Sequence, residues 1–200
     1  MHRGSEGELL ALAGRALALK EEPRQGWLLR GVRAPESVAD HSWGTALLCL
    51  LFARSAGVDA GRAVAIALVH DLAEVETGDL IARADDGDRE VSLAHKAELE
   101  LAAMARLLPA AAGEVRELWQ AYEERTDAEA RFVRDMNLIE MCLQAAIYQE
   151  QQRYDPAVTV ASRGAFTHLD EFFASAESRL EGELARRLFA LLWERYQAAR

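Results

Sequence analysis

Ala65-Ile-Ala-Leu-Val-His-Asp-Leu-Ala-Glu74 is an apolar run that ends in an adjacent imidazole and carboxylate. Apolar residues on consecutive turns give it the period of a helix rather than a strand. A histidine and an aspartate inside such a run are costly to bury without a partner. His70 and Glu74 stand one turn apart on one face, with Asp71 about 100° around. His41 lies in the preceding apolar stretch, so two antiparallel helices can gather His41, His70 and Asp71 around one point. Imidazole with carboxylate suits a divalent transition metal. A buried His-Asp hydrogen bond with no ion is the alternative that spacing leaves open.

Outward from this run the sequence reads as helices. Ser5 with Glu8 forms a capping box for a stripe running to about Glu22, which Pro23 and Gly26 break. Ser37-Val-Ala-Asp40 opens a second helix that stops at Gly57. Asp59 caps a third, Ala60 to about Glu76. Ile81–Asp88 has the look of a loop. Further helices are expected over Arg89–Leu108, Ala111–Arg125 and Ala128–Arg153. Pro156 and Gly164 bound another loop, followed by Ala165–Ser175 and Ala176–Ala198. The expectation is an all-α fold of about seven to eight helices in one domain spanning residues 1–200.

The 200 residues carry 23 Lys+Arg against 33 Asp+Glu, a net charge of −10. That deficit argues against a nucleic acid polymer or an acidic membrane as partner, since both demand a basic face. It permits a small phosphorylated ligand held by a few local arginines. Cys49 and Cys142 both sit in apolar helical stretches and suit buried reduced thiols. The first 22 residues lack the apolar core of a signal peptide, and no apolar run approaches the roughly 18 residues of a membrane span. A cytoplasmic protein is expected.

Three blocks carry a resemblance. Arg33-Ala-Pro-Glu-Ser-Val-Ala-Asp-His41 and Leu68-Val-His-Asp-Leu-Ala-Glu-Val-Glu-Thr-Gly-Asp79 are the first two. The third is Ala128-Glu-Ala-Arg-Phe-Val-Arg134 with Glu140-Met-Cys-Leu-Gln-Ala145. In order, from about Leu19 to Gln149, they resemble the 5′-deoxynucleotidase branch of the HD-domain metal-dependent phosphohydrolases. The resemblance implies an HD-domain helical bundle with C-terminal helices over about 165–198. It implies one divalent ion, cobalt or manganese among the candidates, and hydrolysis of deoxyribonucleoside 5′-monophosphates to deoxynucleoside and phosphate by a homodimer. His41, His70 and Asp71 match metal ligands, with Asp71 and Glu74 at the reacting centre. Asp79 matches the acid that reads the sugar hydroxyl, and Trp27 the bulky residue that crowds a 2′-hydroxyl. Arg24 matches the phosphate-binding arginine, with Arg33 a second candidate. Packed aromatic and turn residue are the plain alternatives for Trp27 and Asp79.

One position departs from the pattern. The fourth metal ligand of the family is an Asp, and Asn137 occupies its place. Asn offers a carbonyl oxygen but no negative charge. Asp135 is about 200° away around the helix and faces elsewhere. Three readings stand: a working site with weaker metal affinity, a binding-only relative, or a deliberate inactivating substitution. Another nucleotide, such as a nucleoside triphosphate, is the alternative substrate. His95 has no histidine partner between the HD pair and Asn137, which favours a single ion. It reads as a surface residue, and His2 and His168 fit no pattern. Leu188-Phe-Ala-Leu-Leu-Trp193 is either core or a dimer surface.

Overall fold

The computed structural model describes residues 2–81, 92–154 and 168–200. It places helices α1 (His2–Ala16), α2 (Gln25–Leu29), α3 (Val38–Ala56), α4 (Ala60–Val69) and α5 (Glu74–Thr77) in the first half. The second half holds α6 (Leu93–Leu107), α7 (Gly113–Glu124), α8 (Ala128–Glu150), α9 (Asp170–Glu177) and α10 (Glu183–Ala198). No strand forms among the described residues; a lone bridge pairs Pro23 with Ser37. The all-α expectation holds, and each of the eight expected helices corresponds to one of the longer ones. From position 82 the loop expected over Ile81–Asp88 lies outside the described residues. So do the start at Arg89, the breaks at Pro156 and Gly164, and the start at Ala165.

Local chemistry sets most boundaries. Ser37 Oγ accepts from Asp40 N at 3.1 Å and Asp40 Oδ2 accepts from Ser37 N at 2.9 Å, a reciprocal cap on α3. Gly57 ends that helix at φ 73°, a left-handed position that a Cβ would strain. Asp59, Ser92 and Asp127 cap α4, α6 and α8 by accepting from the backbone N three residues on. Three expectations need correction. The first helix begins at His2, so Ser5 lies inside it rather than at its cap, and Leu17–Lys20 tightens into a 3₁₀ turn. Gln25–Leu29, expected to be a break, forms a short helix. The helix expected to run to Glu76 stops at Val69. Residues 70–73 form a tight turn in which Leu72 N, Glu74 N and Val75 N each bond the carbonyl three residues back.

The 23-residue α8 is the central element and packs against α3, α4, α7, α9 and α10. Val133, Met136, Ile139, Cys142, Ala145, Ala146 and Tyr148 are buried along it and join Trp27, Cys49, Ile66, Phe173 and Tyr196 in the main core. A second cluster joins Leu12, Leu19, Val38, Leu72, Met104, Leu107 and Trp119 beneath α1 and α6. Both cysteines are free and buried.

Asp135 faces away from the His-Asp turn, as its helical offset required. Its two oxygens accept from Glu181 N at 2.9 Å and Gly182 N at 2.8 Å, at the start of α10. Asp135→Ala leaves those part-buried donors without their acceptor and is expected to cost about 0.5–2 kcal/mol. Urea unfolding of the two proteins measures the difference.

Candidate metal centre

The tight turn at the end of α4 makes the centre. Residues 70–73 leave the end of α4 in a tight turn, and two neighbouring side chains meet there. His70 Nε2 lies 3.2 Å from Asp71 Oδ2. From α3, His41 Nε2 approaches the same oxygen at 3.8 Å. The three side chains form a group with metal-ligand spacing. Both Nε2 atoms are buried and have no hydrogen-bond partner. Each opposite ring nitrogen is engaged: His70 Nδ1 lies 2.7 Å from Ala67 O, and His41 Nδ1 lies 2.5 Å from Glu140 Oε2. A backbone carbonyl only accepts, so His70 Nδ1 carries a proton, and in the neutral ring the lone pair is then on Nε2. Orphaned imidazole nitrogens beside a carboxylate fit a divalent cation in chemistry as well as spacing.

Charge around the turn is ordered. Burial and the neighbouring Arg24 push His41 down to about 3, so its ring is neutral. Burial opposes ionisation of Asp71, yet His70, Arg24 and His41 outweigh it and hold the group below the usual carboxylate range. Glu74 behaves oppositely: burial, Asp71 and Asp79 raise it well above its ordinary value, against the pull of Lys96. Arg24, from the residue before α2, reaches in with Nη1 3.5 Å from Asp71 Oδ2 and 3.7 Å from Asp79 Oδ1. Asp79 Oδ2 accepts from Gln25 N at 2.5 Å, which ties the start of α2 to the site.

His41, His70, Asp71, Glu74, Asp79 and Arg24 therefore come together. Asn137 stands nearby on α8: its Nδ2 donates to Tyr122 Oη at 2.7 Å, and the Tyr122 ring lies 5.0 Å from that of His70. Arg33 does not join them. Its guanidinium donates to Gln152 O at 2.7 Å on the exposed surface, and Arg153 grips its carbonyl. The structure therefore places its guanidinium beside Gln152, just past the end of α8, and not beside Arg24. Trp27 is 1% exposed. It stacks on Phe172 at 3.9 Å, meets Tyr148 edge-on at 5.2 Å, and donates Nε1 to Glu36 Oε1 at 2.8 Å. In this position it is a packed aromatic and turns no face to a ligand. His95 is exposed, as expected.

Four neighbours were not singled out by sequence. Lys96 Nζ lies 3.5 Å from Glu74 Oε1 and 3.3 Å from Glu100 Oε1, and donates to Leu80 O at 2.9 Å. Its spacing to Glu100 is an i,i+4 pair, which reads equally as a solvated face. Tyr122 carries no local signal. Glu36 and Glu140 lie inside the quoted blocks and converge with His41. Three residues separate Glu140 from Asn137, one turn along α8, and that spacing was the available clue.

A sequence model of the HD domain family matches residues 16–175. The chain belongs to the HD domain family. It is 37% identical to 5′-deoxynucleotidase HDDC2 of Bos taurus, over 88% of this chain and 84% of that protein. It is 34% identical to 5′-deoxynucleotidase hdd1 of Schizosaccharomyces pombe, over 66% of this chain and 68% of that protein. Among solved structures, the PH0347 protein of Pyrococcus horikoshii OT3 superposes with a TM-score of 0.68 at 28% identity, covering 94% of this chain and 98% of that one. A predicted metal-dependent phosphohydrolase from Magnetospirillum magnetotacticum MS-1 gives 0.64 at 30% identity, covering 95% and 94%. Membership in this HD domain family agrees with the all-α fold and with the His70-Asp71 pair at its centre.

Burial raises Glu36 to about 7 and Glu140 to about 8, and both carboxyls converge on His41. A raised carboxyl retains its proton in the fold longer than in the unfolded chain. Its stabilisation is complete below the ordinary value of 4.5 and is lost as pH rises through 7 to 8. Glu36→Gln, which cannot ionise, is expected to reduce the fall in Tm of the metal-free protein between roughly pH 4 and pH 8.5, about half a unit outside this window on either side. Thermal unfolding at a series of pH values tests this.

Proposed function

We propose that the chain hydrolyses deoxyribonucleoside 5′-monophosphates to deoxynucleoside and phosphate in a divalent-metal-dependent reaction. The observation that carries this is the pair of orphaned, buried Nε2 atoms facing Asp71 Oδ2, with Arg24 reaching the same carboxylate. The 5′-deoxynucleotidase relatives support the substrate class.

His41, His70, Asp71 and Asn137 would hold the ion, with cobalt or manganese suited to this mixed nitrogen and oxygen set. When bound, the ion supplies a Lewis acid that lowers the pKa of a water and stabilises charge on phosphoryl oxygens. Asn137 takes part through its carbonyl oxygen, since its amide nitrogen is given to Tyr122. Arg24 forks onto the phosphate, and Asp79 beside it reads the sugar hydroxyl. Glu74, buried with an unpartnered Oε2, orients the attacking water and moves its proton. Water adds to phosphorus, the bond to the 5′-oxygen breaks, and that oxygen leaves with a proton. Trp27 acts on the choice of sugar through the backbone: its N donates to Arg24 O at 3.2 Å, so its packing sets where Arg24 stands.

The single domain forms a homodimer through α3 in this reading. Trp43 is 65% exposed, and Leu47, Leu50 and Leu51 are also exposed, at intervals that form one apolar face of α3. The C-terminal stretch is the weaker candidate, since Leu188, Phe189 and Leu192 pack on the core. No helix among the described residues is long and apolar enough to cross a membrane. Free buried thiols support a reducing, cytoplasmic setting.

With manganese or cobalt added, phosphate release from dAMP is expected to exceed that from AMP by roughly 10–100-fold. Release from neither overturns the reading. Glu74→Gln is expected to lower turnover by roughly 10²–10⁴-fold while dAMP still binds, seen by calorimetry beside the rate assay. Leu50→Glu is expected to halve the mass in sedimentation equilibrium by placing a charge in the α3 face.

A further inference from the structure

His41 is held from behind by a residue on another helix. Its ring is fully buried, and Nδ1 lies 2.5 Å from Glu140 Oε2. Only a narrow passage lets that carboxyl reach the ring. A Cβ built on Gly44 would lie 2.7 Å from Glu140 Oε1, 3.0 Å from its Cγ and 3.2 Å from its Cδ. Real Cβ atoms do not approach so closely, so any side chain at 44 displaces Glu140. Gly44 lies within the 19-residue α3, where glycine is a poor helix former and has no turn to serve. Its place in the helix is explained by the carboxyl that occupies the missing side chain's volume.

The two rings are then treated alike. Ala67 O takes Nδ1 of His70 and Glu140 takes Nδ1 of His41, and each leaves Nε2 toward Asp71. Outer hydrogen bonds of this kind fix tautomer and ring orientation in metal-binding histidines. We propose that Glu140 is a positioning residue of the metal centre, that it sets the tautomer and rotamer of His41, and that Gly44 keeps its passage open. The inference rests on the reading of His41 as a metal ligand.

The test is cobalt and manganese affinity by calorimetry, with the visible absorption of the cobalt-loaded protein as a readout of coordination. Glu140→Gln has nearly the same volume but puts an amide in place of the carboxyl against His41 Nδ1. It is expected to weaken metal affinity by roughly 10–100-fold and to alter the cobalt spectrum. Gly44→Ala keeps the carboxyl in the chain but pushes it from the ring, and is expected to change affinity and spectrum in the same direction. If either variant, folded by circular dichroism, binds metal with the affinity and spectrum of the parent, Glu140 has no positioning role. If the parent itself binds neither ion, the reading of His41 as a ligand fails, and this inference fails with it.

Discussion

Two imidazoles and several carboxyls are buried where α3, α8 and the turn after α4 meet, and each must find a partner there. A polar atom taken from water without compensation costs on the order of 1–3 kcal/mol, and more if charged. Most of these atoms are satisfied from within. Ala67 O and Glu140 take the Nδ1 atoms, Arg24 and Gln25 N engage the aspartates, and Lys96 faces Glu74. His41 Nε2, His70 Nε2 and Glu74 Oε2 are left over. Protein partners on the far side and open nitrogens on the near side give a preorganised seat for a cation.

The surrounding scaffold follows from that demand. Gly44 weakens α3 by about 0.5–1 kcal/mol relative to alanine, and the space it leaves is filled by Glu140. Glu140 and Glu36 converge on His41, and Glu36 accepts from Trp27. Trp27 in turn stacks on Phe172 of α9. The aromatic core and the candidate metal centre are thus joined through two carboxyls, so repacking near the C-terminal helices reaches His41 in a few contacts. Asp71 and Glu74 lie three residues apart with opposite shifts. Cations close to Asp71 favour its ionised form, while burial beside two aspartates disfavours that of Glu74.

Much of this was legible in order along the chain. Caps at Ser37, Asp59 and Asp127 act within four residues, so their side chains declare helix starts without knowledge of the fold. Spacing pointed to His41, His70 and Asp71 as one group, and the family resemblance added Glu74 and Asp79 to it. Arg33 shows the limit. It resembles Arg24 in type and neighbourhood, yet the chain turns between them and sends one guanidinium to Asp71 and the other to Gln152. Trp27 shows it too, since burial by Phe172 depends on a helix some 145 residues away, a separation no local pattern reports.

By itself the sequence determined the helical class, most helix starts, and the residue types able to hold a metal beside a phosphate. Those properties depend on period, capping and side-chain chemistry, which act over a few residues. Only the tertiary structure decided which polar groups share the centre. It broke α4 at Val69 into the turn that aims His70 and Asp71 together, brought Lys96 to Glu74, and passed Glu140 over Gly44 to His41. Each of these is a contact between elements distant in sequence or a departure from ideal helix geometry, set by how buried surfaces pack and not by the residues on either side.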